Sequence, residues 1–207
     1  MKPLFITFEG IEGCGKSTQS KLLKKYFEEH NYEVLLTREP GGPKISEDIR
    51  KILLDSENME MLPETELLLY MASRVQHTGE WILPALKENK FVISDRYYDS
   101  TIAYQGAGRK GDNKFIKLLT KFATFNLVPD ITFIIDLPPE IGLSRIPNEK
   151  KDRLEKENIE FHQKVRNAFL EMSKKEKRFF VIDGKKTIEE INTLIIKKII
   201  SEETDEN

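Results

Sequence analysis

With 207 residues, 39% of them hydrophobic, and a formal net charge of −2, the chain can bury a substantial core and lacks the basic excess of a nucleic-acid-binding surface. Its single cysteine excludes an internal disulfide and agrees with a reducing, cytoplasmic compartment. No apolar run approaches the ~20 residues of a transmembrane helix, and the N-terminus has no signal-peptide core.

The first apolar run, Leu4–Glu9, reads as a strand and is followed by the glycine-rich segment Gly10–Ser17 and a helical pattern over Ser17–Asn31. A second strand, Glu33–Thr37, ends at the turn Arg38-Glu39-Pro40-Gly41-Gly42. Helical patterns then cover Ile45–Leu54 and Pro63–Asn89; Pro63 suits a first turn, whereas Pro84 should kink or divide its segment. Strand Phe91–Asp95 runs into Arg96-Tyr97-Tyr98-Asp99-Ser100, and a helix follows over Asn113–Asn126. The remaining elements are strand Ile131–Leu137, helix Pro139–Ile146, helix Glu155–Lys177, strand Phe179–Asp183 and helix Thr187–Ser201. The strands are nearly continuous in Val, Ile, Leu and Phe, as strands buried on both faces of a parallel sheet should be. Their alternation with helices predicts an α/β fold, a five-stranded parallel sheet with helices on both faces, in one domain spanning residues 1–207.

Ligands of such folds gather beyond the carboxyl ends of the strands. The segment GIEGCGKS, Gly10–Ser17, fits G-x-x-x-x-G-K-[ST] between a strand and a helix start. There the turn and helix amides cradle the phosphates of a nucleoside triphosphate, Lys16 reaches the β/γ phosphates and the Ser17 hydroxyl meets Mg²⁺. Arg38 and Arg96 both fall at strand C-termini beside this loop. A second phosphate explains these extra cations, because guanidinium binds phosphate oxygens bidentately and stays charged. An acceptor that is itself a phosphate needs positioning and charge neutralisation rather than a strong base, which points to a nucleoside monophosphate kinase.

The set FEGIEGCGKST, LTREPGG, LLLYMASRVQH, SDRYYDSTIAYQG and FIIDLPPEIGLSR resembles the thymidylate kinase (dTMP kinase) family, in order and over about nine-tenths of the chain. The resemblance implies a P-loop NTPase fold of the nucleoside monophosphate kinase type. It implies transfer of the γ-phosphoryl of ATP to dTMP, a Mg²⁺ requirement and a homodimer. ATP would lie on Gly10, Ile11, Glu12, Gly13, Cys14, Gly15, Lys16, Ser17 and Thr18. Arg38 and Arg96 match the arginines that grip the acceptor phosphate, and Glu12 the carboxylate near the sugar 3′-hydroxyl and the metal-bound waters. Asp95 matches the aspartate that holds the Mg²⁺ hydration shell. Tyr70 falls where the family stacks a ring on thymine, and Arg74 where it bonds a base carbonyl. Thr101 and Gln105 match positions at the base edge, and Tyr104 the one beside the deoxyribose.

One segment departs from the pattern. Relatives with glycine after the loop acid, as Gly13 follows Glu12, supply a catalytic arginine from a lid, here about residues 146–154. Pro147 and Asn148 stand where that lid is arginine-rich, which leaves Arg145 and Arg153 as candidate catalytic charges, with Lys150 and Lys151 behind them. Cys14 reads as a small residue that a tight loop tolerates, and His30, His77 and His162 as surface or helix-packing residues. A kinase for another nucleotide or nucleoside and a switch-type P-loop protein are the alternatives. The Tyr70/Arg74 pair speaks against the first, and the second set of arginines against the other.

Overall fold

The computed structural model describes residues 2–147 and 151–205. Five strands, β1 (Phe5–Glu9), β2 (Val34–Arg38), β3 (Phe91–Asp95), β4 (Ile131–Asp136) and β5 (Phe179–Asp183), form one all-parallel sheet in the order β2-β3-β1-β4-β5. The order reverses on either side of the central β1, which opens a crevice at the carboxyl ends of β1 and β3. All five predicted strands are present, displaced by one residue at most.

Alternation along β1 divides the core. Ile6 and Phe8 face α1 (Lys16–Glu29) and α9 (Ile188–Asp205) with Phe27, Phe91, Phe133 and Ile195; Phe8 stacks on Phe133 and Phe27 on Phe91. Phe5 packs on the opposite face with Val92, Ile82, Ala85 and Tyr97. That same face turns polar toward the carboxyl edge: the Thr7 and Thr132 hydroxyls meet at 2.8 Å, and Glu9 comes last.

The other helices are α2 (Lys44–Leu54), α3 (Pro63–His77), α4 (Leu83–Lys87), α5 (Tyr98–Thr101), α6 (Asn113–Ala123), α7 (Pro139–Ser144) and α8 (Ile159–Ser173). The long segment 63–89 divides at the predicted place. Pro84 has no N–H to donate, and just before it Thr78–Ile82 widens to a π-helix, with Leu83 N donating to the Thr78 carbonyl. A helical stretch that periodicity does not announce runs through α5 into wide turns over Ile102–Gly108; Gly106 and Gly108 weaken its propensity signal. The predicted start of α8 at Glu155 is corrected to Ile159. Asp152 caps its own turn by accepting from Leu154 N and Glu155 N, and Asn158 then caps the helix through Phe161 N at 2.9 Å. Thr187 and Glu190 form a reciprocal capping box at the start of α9.

Candidate active site

The phosphate loop leaves β1 through three glycines with positive φ, Gly10, Gly13 and Gly15. At Gly13 a Cβ would strike the Gly142 carbonyl, so the loop backbone lies directly on α7. Lys16 folds back on the loop, its Nζ donating to the Ile11 carbonyl at 2.6 Å. The Ser17 hydroxyl donates to Asp95 Oδ2, which joins the start of α1 to the end of β3.

Arg96 follows β3 with φ 72, a left-handed conformation that costs a non-glycine residue on the order of 1–3 kcal/mol. The turn is held from three sides. Arg96 N donates to Phe8 O at 2.9 Å and Ser94 Oγ donates to Arg96 O at 2.7 Å. The fully buried Glu9 carboxylate accepts from Tyr97 N at 2.8 Å and from Ser100 Oγ at 2.6 Å. Burial, with Asp99 nearby, raises the Glu9 carboxyl to about 7. The strain places the Arg96 guanidinium against the loop: Nη1 donates to Gly10 O at 2.8 Å and Ser100 Oγ at 3.0 Å, and Nη2 to Glu12 Oε1 at 3.0 Å and Tyr104 Oη at 3.1 Å. Tyr104 Oη also donates to Glu12 Oε1 at 2.5 Å. Burial pushes the Glu12 carboxyl up, but His162, Arg96, Lys16 and Tyr104 overcome it and hold the group down to about 2.

Beside the loop opens a cavity of about 260 Å³. Of the predicted residues, Glu12, Gly13, Lys16, Ser17, Arg38, Tyr70, Arg74, Asp95, Arg96, Thr101, Tyr104 and Gln105 line it. Tyr70 and Arg74 both reach it from α3, one turn apart. Arg74 is almost wholly buried: Nε donates to Glu39 Oε2 at 2.8 Å and Nη1 to Thr101 Oγ1 at 2.9 Å. His77 supports the other oxygen of Glu39, Nδ1 to Oε1 at 3.0 Å, while its Nε2 meets Thr37 Oγ1 at 2.7 Å. Burial opposes ionisation of Glu39, yet Arg74 and His77 leave its carboxyl below the ordinary value.

The two candidate lid arginines part company. Arg145 is beside the phosphate loop, Nη1 donating to Gly13 O at 2.9 Å. Arg153 lies outside the cavity lining, 2% exposed, with Nη1 on Glu66 Oε2 at 2.5 Å and Nε donating to Leu53 O at 3.1 Å. Asn148, Glu149 and Lys150 of the expected lid lie outside the described residues.

Residues 8–195 match the family model described as thymidylate kinase. The chain belongs to that family. It is 50% identical to the thymidylate kinase of Carboxydothermus hydrogenoformans over 92% of this chain and 94% of that one. It is 47% identical to that of Fervidobacterium nodosum, over 94% and 97%. The crystal structure of thymidylate kinase from Ehrlichia chaffeensis matches with a TM-score of 0.78 at 37% identity, over 96% of this chain and 99% of that one.

Sequence reasoning missed several residues of this kinase's site. Glu66, Glu39 and Glu9 are buried carboxylates placed behind Gln105, Arg74 and the Arg96 turn. Glu66 was legible as the member of α3 one turn before Tyr70. Arg50 lines the cavity from α2, donating to Pro40 O at 2.7 Å; burial and then Arg38 lower its pKa. His162 is fully buried, with Nδ1 3.4 Å from Glu12 Oε2, so α8 abuts the phosphate loop.

Proposed function

We propose that the enzyme holds ATP on the phosphate loop from Gly10 to Thr18 and dTMP in the adjoining cavity, so that the γ-phosphoryl passes between them to give dTDP and ADP. The reaction is that of its family; the assignment of parts is ours. The position of Arg96 carries it. One guanidinium bonds the loop at Gly10 and Glu12 and the cavity wall at Ser100 and Tyr104, where it can neutralise charge shared by donor and acceptor phosphates. Arg38 stands at the same edge, held by Glu47 at 2.9 Å, and is the second grip on the acceptor phosphate. Tyr70 stacks on the base, Arg74, Thr101 and Gln105 address its edge, and Tyr104 and Glu12 face the sugar.

Ser17 and Asp95 supply a hydroxyl and a carboxylate in mutual contact. That hard-oxygen pair fits Mg²⁺, which keeps waters and phosphate oxygens as its other ligands. Bound there, the ion would neutralise β- and γ-phosphate charge. Arg145, already at the loop, is the better placed lid charge; Arg153 would have to leave Glu66 to reach the phosphates. The chain acts as one unit with a lid over about 146–154, in the cytoplasm, where its lone thiol, Cys14, stays reduced. It pairs with a second copy through the apolar side chains that α3 and α6 leave exposed, Leu68, Phe115, Leu118 and Phe122.

A coupled assay of ADP release with dTMP, dUMP, dCMP, dAMP, dGMP and thymidine tests the substrate. Turnover should be fastest with dTMP; turnover of thymidine without dTMP would overturn the two-phosphate site.

A further inference from the structure

Behind Gln105 lies a carboxylate that neither the phosphoryl transfer nor the base contact itself requires. Glu66 is 0% exposed and gathers three side chains from two segments, Gln105 and Arg109 from one and Arg153 from the other. Gln105 Nε2 donates to its Oε1 at 2.8 Å, Arg109 bonds both oxygens at 3.2 and 3.3 Å, and Arg153 reaches Oε2 at 2.5 Å. Burial alone would favour the neutral acid, but Arg109, Gln105 and Arg153 keep the group ionised.

An ionised carboxylate can only accept. The Gln105 amide must therefore turn its NH₂ toward Glu66, which leaves its carbonyl oxygen for the cavity that Gln105 lines. Arg74, fixed by Glu39, is donor-only and lines the same cavity. The wall thus offers one donor and one acceptor. A pyrimidine with a 4-oxo group and an N3–H matches both. Cytosine, with a 4-amino donor and a bare N3, opposes a donor to a donor and an acceptor to an acceptor. A free glutamine could flip its amide and accept cytosine, since its two ends are almost the same shape.

We infer that Glu66 is a specificity-determining positioning residue: by fixing the orientation of the Gln105 amide, it selects 4-oxo over 4-amino pyrimidine nucleotides. The inference rests on the reading that Gln105 faces the base.

Steady-state kinetics of the full chain with ATP and dTMP, dUMP or dCMP test it. In Glu66→Gln the arginines keep the new carbonyl, and the new NH₂ faces Gln105, whose amide then reverses. The dTMP/dCMP ratio of kcat/KM should fall by about tenfold or more, because buried polar groups no longer discriminate, while the dTMP/dUMP ratio stays unchanged. Equal losses for all three nucleotides, with the dTMP/dCMP ratio intact, would reduce Glu66 to a structural residue and overturn the inference. If Glu66→Gln does not fold, Glu66→Asp decides: the shorter carboxylate draws back from the Gln105 amide and frees it to flip, so the dTMP/dCMP ratio should fall, and a folded Glu66→Asp with the wild-type ratio refutes the proposal. Gln105→Leu separates the two readings. A dTMP KM that does not move in that variant removes Gln105 from the base; a KM that rises while Glu66→Gln leaves the ratio intact removes only Glu66.

Discussion

Arg153→Ala distinguishes a catalytic charge from a buried strut. In the wild type the guanidinium gives Glu66 one charge-assisted bond and gives the Leu53 carbonyl another donor. A hydrogen bond to a charged group contributes about 1.5–3 kcal/mol and a neutral one about 1. The sum, about 2.5–4 kcal/mol, lies toward the lower end of the ~3–5 kcal/mol lost when a buried ion is left wholly unpaired, because Arg109 and Gln105 still serve Glu66. A destabilisation of about 3 kcal/mol follows, which for a protein of this size lowers Tm by roughly 6–12 °C. Thermal unfolding followed by circular dichroism reads this directly, and turnover measured well below Tm reads catalysis. The expected variant is clearly less stable, with kcat reduced much less than in the corresponding variant of Arg145. A wild-type Tm together with a kcat lowered about a hundredfold would refute the reasoning, since it would mean that Arg153 leaves Glu66 at no cost and acts on the phosphates.

Arg145→Ala should lower kcat by about 10²-fold, the usual effect of removing one donor from transition-state charge, with the KM for dTMP nearly unchanged; a rise in KM alone would move Arg145 to ground-state binding. Glu9→Gln should flatten part of the pH dependence of stability. The native carboxyl holds its proton up to about 7 against an ordinary value of 4.5. Wild-type stability from this group is therefore greatest below pH 4.5 and declines by about 3 kcal/mol as pH rises to 7. Urea unfolding of both proteins at a series of pH values measures it, and a wild-type-minus-variant difference that does not change with pH would show that Glu9 titrates alike in the folded and unfolded chain. Phe122→Glu, on the exposed face of α6, should yield a monomer by sedimentation velocity; an unchanged sedimentation coefficient would place any pairing elsewhere.

The fold was legible because its signals are local. Each strand is a short apolar run, and most helix starts carry their own cap or proline, as at Pro63 and Asp112. The phosphate loop was legible because glycine spacing reports backbone conformation directly. The wide-turned helix at Ile102–Gly108 was not, since its register comes from packing rather than from the periodicity of its residues. Lys16, Arg38, Arg74 and Arg96 were legible as cavity residues because they stand at strand ends or within dense motifs, whereas Arg50, in the middle of α2, was not. Arg153 shows the limit of that signal: an arginine near a lid looks the same in sequence whether it points at phosphate or at a buried glutamate.

The acids were harder to see for a physical reason. Glu9, Glu39 and Glu66 occur where a sequence reader expects an acid to be solvated: at a strand end, in a charged turn and in the first turn of a helix. Their function depends on burial, because only a desolvated carboxylate with few partners imposes one orientation on each of them. Each holds a group that lines the cavity: Glu9 the strained Arg96 turn, Glu39 Arg74 and Glu66 Gln105. A site for two phosphates must gather positive charge, and guanidinium groups left to themselves would repel one another and reorient. Glu39 and Glu66, kept ionised by their cationic partners, offset that repulsion, while Glu9 fixes the Arg96 turn through its hydrogen bonds. Five acids line the cavity itself, Glu39, Asp95, Asp152, Glu155 and, on the phosphate loop, Glu12. Glu12 is tied to Arg96 and Tyr104, so its charge is matched by a cation before any phosphate approaches.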